Sequence, residues 1–421
     1  MTVFFRRIHL YLAFAAGLVF FVQCLTGTIL VFEEEITHLL HAERYEVAVP
    51  AAATPLSLAQ LTAAFQQTHP KDKVLGFKVY AEPTRTVELS FKDPKAKAAG
   101  RFGPDGPNAM RREGPDAIER GRGQKPGGRG PGERGKGRPE RSSTAFLNPY
   151  TGQVVGTLDA QERTLFSVAE DAHRRLLAGE VGKMLTGISA IFILFITATG
   201  IVLWWPKTRQ MLTGRLRIKW DGNWKRINHD LHIVLGFYCS LFLLGLALTG
   251  VIMSYRWATE SLFWVTSSKP TVGIAAPVSA YVPGAKRIAY DAALQTGRRT
   301  YPQAEFWRVG QPKDSIAAVP VSAPSALPLR HNGLDTLFVD RNTGAVLGQH
   351  LYSRQSAGNQ LRRLTKPLHT GEIGGIWTKI LVFVIALISL TFPVTGVLLW
   401  LNRTRKKKPK SRLAPTQSVV G

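Results

Sequence analysis

Leu10–Phe32 reads LYLAFAAGLVFFVQCLTGTILVF, is preceded directly by His9, and carries the step Leu25-Thr26-Gly27 near its far end. Ile233–Tyr255 reads IVLGFYCSLFLLGLALTGVIMSY, is preceded directly by His232, and carries Leu248-Thr249-Gly250. The interval from His9 to Gly27 equals that from His232 to Gly250. Two further apolar runs, Met184–Trp205 and Ile380–Leu401, repeat the device with an equal interval of their own, from His173 to Gly200 and from His369 to Gly396. None of the four runs holds Asp, Glu, Lys, Arg or His. Each exceeds the roughly 20 apolar residues with which a helix crosses hydrocarbon. The pattern predicts four transmembrane helices written as two copies of one unit.

Outside these runs the matching continues. Asn148-Pro-Tyr-Thr-Gly-Gln-Val-Val-Gly156 resembles Asp340-Arg-Asn-Thr-Gly-Ala-Val-Leu-Gly348, and Leu203-Trp204 resembles Leu399-Trp400. Gly152 and Gly344 suit the positive φ of a hairpin turn. Each long loop reads as a small α+β module. In the first, residues 56–68 have helical periodicity and 74–80 and 86–91 are strand-like; the second repeats this with a helix near 291–297 and strands near 305–309, 315–321 and 337–339. Parallel repeats of this kind predict a pseudo-two-fold axis along the membrane normal.

Charge sets the orientation. Lys207, Arg209, Arg215, Arg217, Lys219, Lys225 and Arg226 crowd the segment between the second and third runs, and Arg403, Arg405, Lys406, Lys407, Lys408, Lys410 and Arg412 follow the fourth. By the preference of Lys and Arg for the cytoplasmic side, both termini lie in the cytoplasm and both long loops outside, in a bacterial-type periplasm. A large part of the net charge of +25 is this flank, which favours anionic membrane lipid as a partner over nucleic acid. Arg6 and Arg7 mimic a secretory signal, but the apolar core that follows is too long, so the first run reads as an uncleaved anchor.

The expected order is a first span (1–32), an external module (33–183) interrupted by a Gly/Arg-rich disordered insertion (100–141), a second span (184–205), a cytoplasmic loop (206–232), a third span (233–255), a second external module (256–379), a fourth span (380–401) and a basic tail (402–421). The fold class is membrane α-helical, a four-helix bundle made of two parallel repeats carrying two α+β modules.

His9 and His232 begin spans one and three on the cytoplasmic side, whereas His173 and His369 precede spans two and four on the outer side. Symmetry pairs like with like, and two imidazoles fill both axial positions of a haem. The sequence therefore predicts two b-type haems, one held by His9 and His232 and one by His173 and His369. The two cysteines, Cys24 and Cys239, both fall inside spans, which leaves no Cys-x-x-Cys-His attachment motif and no disulfide framework. His229 lies on the same helical face as His232 and is its rival as ligand. Gly27, Gly200, Gly250 and Gly396 either let a flat macrocycle approach the backbone or serve close helix packing. Arg174, Arg175, Arg362 and Arg363 are candidates to neutralise haem propionates or are plain surface charge, and Trp204, Trp205, Trp377 and Trp400 are expected to form an interfacial belt. If residues 173–204 were one straight helix, the two metal sites would lie too far apart, so a break is expected near Gly179 or Gly182.

Arg7-Ile-His9-Leu-Tyr-Leu, His173-Arg-Arg-Leu-Leu, Asp230-Leu-His232 and Pro367-Leu-His369-Thr-Gly371, with the Thr-Gly steps and hairpins, resemble the PepSY-associated transmembrane-helix family over nearly the whole chain outside residues 100–141. The resemblance implies two PepSY-like periplasmic modules over a four-helix bundle with two b haems in the inner membrane. In iron-uptake members it implies an oxidoreductase that reduces a ferric siderophore and releases Fe(II) in the periplasm. The electron donor, cytoplasmic or in the membrane, is left open, and no nicotinamide or flavin fingerprint is visible. The alternatives are a haem conduit to another periplasmic acceptor, and a haem-free regulatory or binding membrane protein.

Overall fold

The computed structural model describes residues 2–92, 142–159, 163–270, 277–279, 290–312, 316–326 and 333–404. The expected insertion (100–141), His331 and the tail beyond residue 404 lie outside the described residues.

Among the described residues four helices are long and apolar enough to cross a membrane: Val3–Leu30, Gly179–Trp204, Trp224–Ser254 and Glu372–Thr404. The first coincides with α1 (Thr2–Leu30). Two short helices follow it, α2 (Glu33–Leu40) and α3 (Ala42–Tyr45), and lead to α4 (Leu58–Thr68). Four strands come next: β1 (Lys73–Tyr80), β2 (Val87–Lys92), β3 (Ser143–Leu147) and β4 (Val154–Leu158). The chain then returns through α5 (Leu165–Arg175) into α6 (Gly179–Trp204), the second span. Helix α7 (Arg209–Arg215) and helix α8 (Trp224–Asp230) occupy the segment expected as a loop. Helix α8 runs on through a π turn (Leu231–Leu235) into α9 (Gly236–Ser254), so the third span starts earlier than its apolar run suggested. After α10 (Arg256–Val265) and α11 (Tyr290–Thr300), the strands β5 (Phe306–Gly310), β6 (Val319–Pro324), β7 (Leu334–Val339) and β8 (Val346–His350) lead to α12 (Ala357–Thr370). The fourth span is divided into α13 (Gly375–Ser389) and α14 (Thr391–Thr404). That break has a covalent cause: Pro393 has no N–H to offer the carbonyl four residues back, which belongs to Ser389.

The strands do not form two separate modules. All eight described strands join in one antiparallel sheet of order β4-β3-β2-β1-β5-β6-β7-β8, with β1 against β5 from Gly76↔Gly310 to Tyr80↔Phe306. An unpaired β1 edge would expose a row of unsatisfied amides and carbonyls beside an equivalent β5 edge, and pairing the two removes both. The two outer hairpins are near copies. Asn148 Oδ1 accepts from the amides of Tyr150 and Thr151, Asp340 Oδ1 from those of Asn342 and Thr343, and Gly152 and Gly344 take φ of +74° and +76°.

One face of the sheet is its core. Leu58, Leu61 and Phe65 of α4 and Ala293 and Leu294 of α11 pack on Phe77, Val79, Leu89, Trp307, Val309, Val321, Leu337 and Val339. Burying each large side chain contributes about 1.5–3 kcal/mol. The α4 start is fixed by a capping box between Ser57 and Gln60, and its first amides also bond the Asp291 carboxylate of α11, at 2.6 Å from Leu58. The opposite sheet face carries Lys78, Tyr80, Glu88, Phe306 and Arg308 and looks onto a cleft above the helical bundle.

The expected break before span two is present. Helix α5 ends at Arg175, Leu176 and Leu177 take φ of +50° and +57°, and α6 restarts at Gly179, φ +58°. Gly182 meets the end of α5 so closely that a Cβ there would stand 1.6 Å from the Arg175 carbonyl oxygen. In the second half Gly371 (φ +80°) and Gly375 (φ +65°) break the chain between α12 and α13. Both histidine-bearing segments, α5 and α12, are thereby freed to fold back over the sheet-side end of the bundle.

Candidate functional site

The four repeated histidines meet as two pairs. His173 and His369 face each other at the sheet-side end with ring centroids 6.1 Å apart and planes at 69°; His9 and His232 do so at the far end at 6.5 Å and 81°. Two imidazoles on opposite sides of one metal, each bonded at about 2.0–2.1 Å, hold their ring centres about 6.3 Å apart. Both pairs therefore fit the separation that a shared six-coordinate metal requires.

Each imidazole is held by the Thr-Gly step of a neighbouring helix. His9 Nδ1 lies 3.0 Å from the Ile196 carbonyl and 3.1 Å from Thr199 Oγ1; His173 Nδ1 lies 2.9 Å from the Gln23 carbonyl and 3.1 Å from Thr26 Oγ1. His369 Nδ1 repeats this with the Leu246 carbonyl at 3.1 Å and Thr249 Oγ1 at 2.9 Å, and His232 Nδ1 reaches Thr395 Oγ1 at 2.8 Å. A carbonyl only accepts, and each hydroxyl already donates into its own helix: Thr26 to Val22, Thr199 to Phe195, Thr249 to Gly245 and Thr395 to Thr391. Nδ1 must therefore carry the proton in all four rings, which leaves the Nε2 lone pair free. A metal-ligating histidine is usually fixed in tautomer and aim in this way, by a hydrogen bond from its other ring nitrogen.

The glycines complete the cradle. A Cβ on Gly27 would meet His173 Cε1 at 3.3 Å, on Gly200 His9 Cε1 at 3.4 Å, on Gly250 His369 Cε1 at 3.6 Å and on Gly396 His232 Cε1 at 3.5 Å. Only at Gly27 is that contact tighter than ordinary van der Waals packing; at the other three the glycine simply lies against the imidazole edge. Gly, Thr and His form one unit, used four times.

Burial pushes the His173 ring down to about 4, with the nearby His369 adding to the effect, and lowers His369 for the same first reason. Both sheet-side rings stay neutral at physiological pH, as a metal ligand must.

His229 stands apart, half-exposed with Nδ1 3.1 Å from Asp230 Oδ1, so the far pair is His9 with His232. The π turn that contains His232 lets this ring sit out of regular helical register, a placement common at functional sites. Asn228, fully buried, donates to the Thr395 carbonyl at 3.2 Å and ties α8 to the helix carrying the His232 cradle; sequence reasoning missed it. The remaining described histidines serve locally: His38 stacks on Tyr45, His69 on Phe65, His41 lies by Glu43 and His350 meets Gln355.

The cleft below the sheet encloses about 2090 Å³ and reaches from Lys78, Tyr80 and Arg308 down to His173, His369 and the flanking Gly27 and Gly250. A single ligand site usually holds about 300–1,000 Å³, so this cleft is larger than one such site. Arg174, Arg175, Arg362 and Arg363 all line it, with Arg174 3.1 Å from Glu170 and Arg175 buried 3.9 Å from Asp171. Among the tryptophans, Trp205, Trp377 and Trp400 are exposed at span ends, but Trp204 is buried and stacks on Phe237 at 3.6 Å, which removes it from the expected belt.

Residues 6–403 match the family model described as the PepSY-associated TM region, and the chain belongs to that family. No curated protein is similar enough to count as a relative.

Proposed function

We propose that this member of the PepSY-associated family is an inner-membrane oxidoreductase that holds two b-type haems and delivers single electrons to a periplasmic ferric siderophore, releasing iron as Fe(II). The observation that carries the reading is the pair of facing imidazole couples, each with Nδ1 committed to a Thr-Gly cradle and Nε2 left free. His9 and His232 would hold the far haem and His173 and His369 the sheet-side one; haem, when bound by two histidines, supplies a one-electron Fe(III)/Fe(II) couple with no open coordination position.

The chain's own residues do the rest. The threonines hold the rings in one tautomer, and the glycines lie against the ring edges. Arg362 and Arg363 at the cleft offer charge to the propionates of the sheet-side group. In this reading the two halves are parallel copies of one unit, each contributing four strands to a periplasmic sheet of PepSY type, with both termini cytoplasmic and the donor on the cytoplasmic side or in the membrane.

The test is stopped-flow mixing of the dithionite-reduced, full-length protein with a ferric siderophore in the presence of an Fe(II) chromophoric chelator. Reoxidation with stoichiometric appearance of the Fe(II) chelate is expected. A reduced protein that no ferric siderophore reoxidises would remove the assigned acceptor.

A further inference from the structure

The roof of the cleft carries a row of side chains that the histidine chemistry does not use. Along it, Arg85 lies over the rings of Tyr45 (5.7 Å) and Tyr80 (4.4 Å), Lys78 over Tyr80 (4.3 Å) and Phe306 (4.8 Å), and Arg308 over Phe306 (5.0 Å). Cations and rings alternate across the β1–β5 seam, and all of these residues line the cleft that descends to His173 and His369.

Stability alone does not account for this row. Lys78 and Arg308 are direct cross-strand partners at the centre of the sheet, and like charges so placed oppose pairing. Glu88 is bonded into the row by Lys78 at 3.3 Å and by the Tyr80 hydroxyl. Arg85 Nε is buried with no hydrogen-bond partner among the described residues, so this end of the side chain is held in place by the rings of Tyr45 and Tyr80. Stacking on the rings fixes the cations before any ligand arrives, which lowers the ordering cost of binding.

We propose that this cation–aromatic roof, spanning the β1–β5 seam, is the acceptor's binding site and selects metal chelates that are both anionic and aromatic, the tris-catecholate type, over neutral hydroxamates. The proposal rests on the reductase reading above and names its substrate class. A trianionic catecholate complex presents negative oxygens to Lys78, Arg85 and Arg308 and flat rings to Tyr80 and Phe306, and the cleft runs on from there to the sheet-side histidine pair.

The test uses gallium(III), which binds the same chelators as ferric iron and is not reduced, so that binding is read without electron transfer. Titration calorimetry on the full-length protein in detergent compares the gallium complexes of a tripodal tris-catecholate and a tripodal tris-hydroxamate. The catecholate should bind at least about tenfold tighter, and this preference should shrink when salt is raised from about 0.05 to about 0.5 M. Lys78→Gln with Arg308→Gln should remove the preference, as should Arg85→Gln. The selectivity and salt dependence of the unaltered protein need no variant, so misfolding of a variant does not rescue or sink the idea. Equal affinities for the two complexes, or variants that keep the preference, would overturn it. Selective binding by a protein that carries no haem would instead overturn the reductase reading and leave the roof site standing.

Discussion

At the residue scale the site reduces to a ring, a hydroxyl and an absent side chain. Thr26→Val or Thr249→Val removes the hydroxyl that accepts from Nδ1 and should weaken haem retention at the sheet-side pair by about 10- to 100-fold, read by titrating the haem-free protein with haem. Unchanged affinity would mean that the carbonyls of Gln23 and Leu246 alone fix the rings. The histidines and glycines were legible because their spacing recurs along the chain; their mutual contact was not, because nothing in a linear count says which helix lies beside which. Trp204 illustrates the same limit, since only packing decides between the membrane interface and a stack on Phe237. Glu33, beside the cleft, gives a pH-dependent check. Burial raises its carboxyl from 4.5 to about 7, with Glu170 adding to the rise and Lys366 opposing it. The folded state thus holds a proton that the unfolded chain releases earlier, and stability present below pH 4.5 is lost as pH rises towards 7. Thermal melts across that window should show this decline in the unaltered protein and a smaller one in Glu33→Gln.

At the element scale the decisive features are the breaks that turn α5 and α12 over the bundle. Gly182→Ala would bring a Cβ to 1.6 Å from the Arg175 carbonyl, which no side-chain motion relieves, so the α5–α6 junction must open. Gly179→Ala, at φ +58° with open space around it, should cost only about 1 kcal/mol. Melting temperatures should separate the two variants clearly, and only Gly182→Ala should also lose the sheet-side haem signal; equal behaviour would refute the junction's role in aiming His173. The break itself was foreseen from the distance between the two expected histidine pairs, whereas the earlier start of the third span was not. Residues 224–230 lack an apolar run, and their helix is held by the Asn223 cap and by contact with α14.

At the scale of the whole molecule the two halves are joined twice, by the helix pairs of the bundle and by the β1–β5 seam. Alternating apolar residues marked the strands of each half but not the seam, since edge pairing between segments so distant along the chain leaves no local periodic mark. Asp291 caps α4 from the other half, and Asp291→Ala should cost about 0.5–2 kcal/mol, measured by denaturant unfolding of the full chain. The seam also places the roof and the His173–His369 pair on opposite sides of one cleft, which in the proposed function is where acceptor and electron source would meet. All of this depends on metal held between facing imidazoles. The most direct measurement is the haem content and low-spin spectrum of protein purified from haem-replete cells, alongside His9→Ala with His232→Ala and His173→Ala with His369→Ala. Two b-type haems per chain, and one in each double variant, are expected; a folded, colourless protein, or full haem content in either variant, would contradict the assignment.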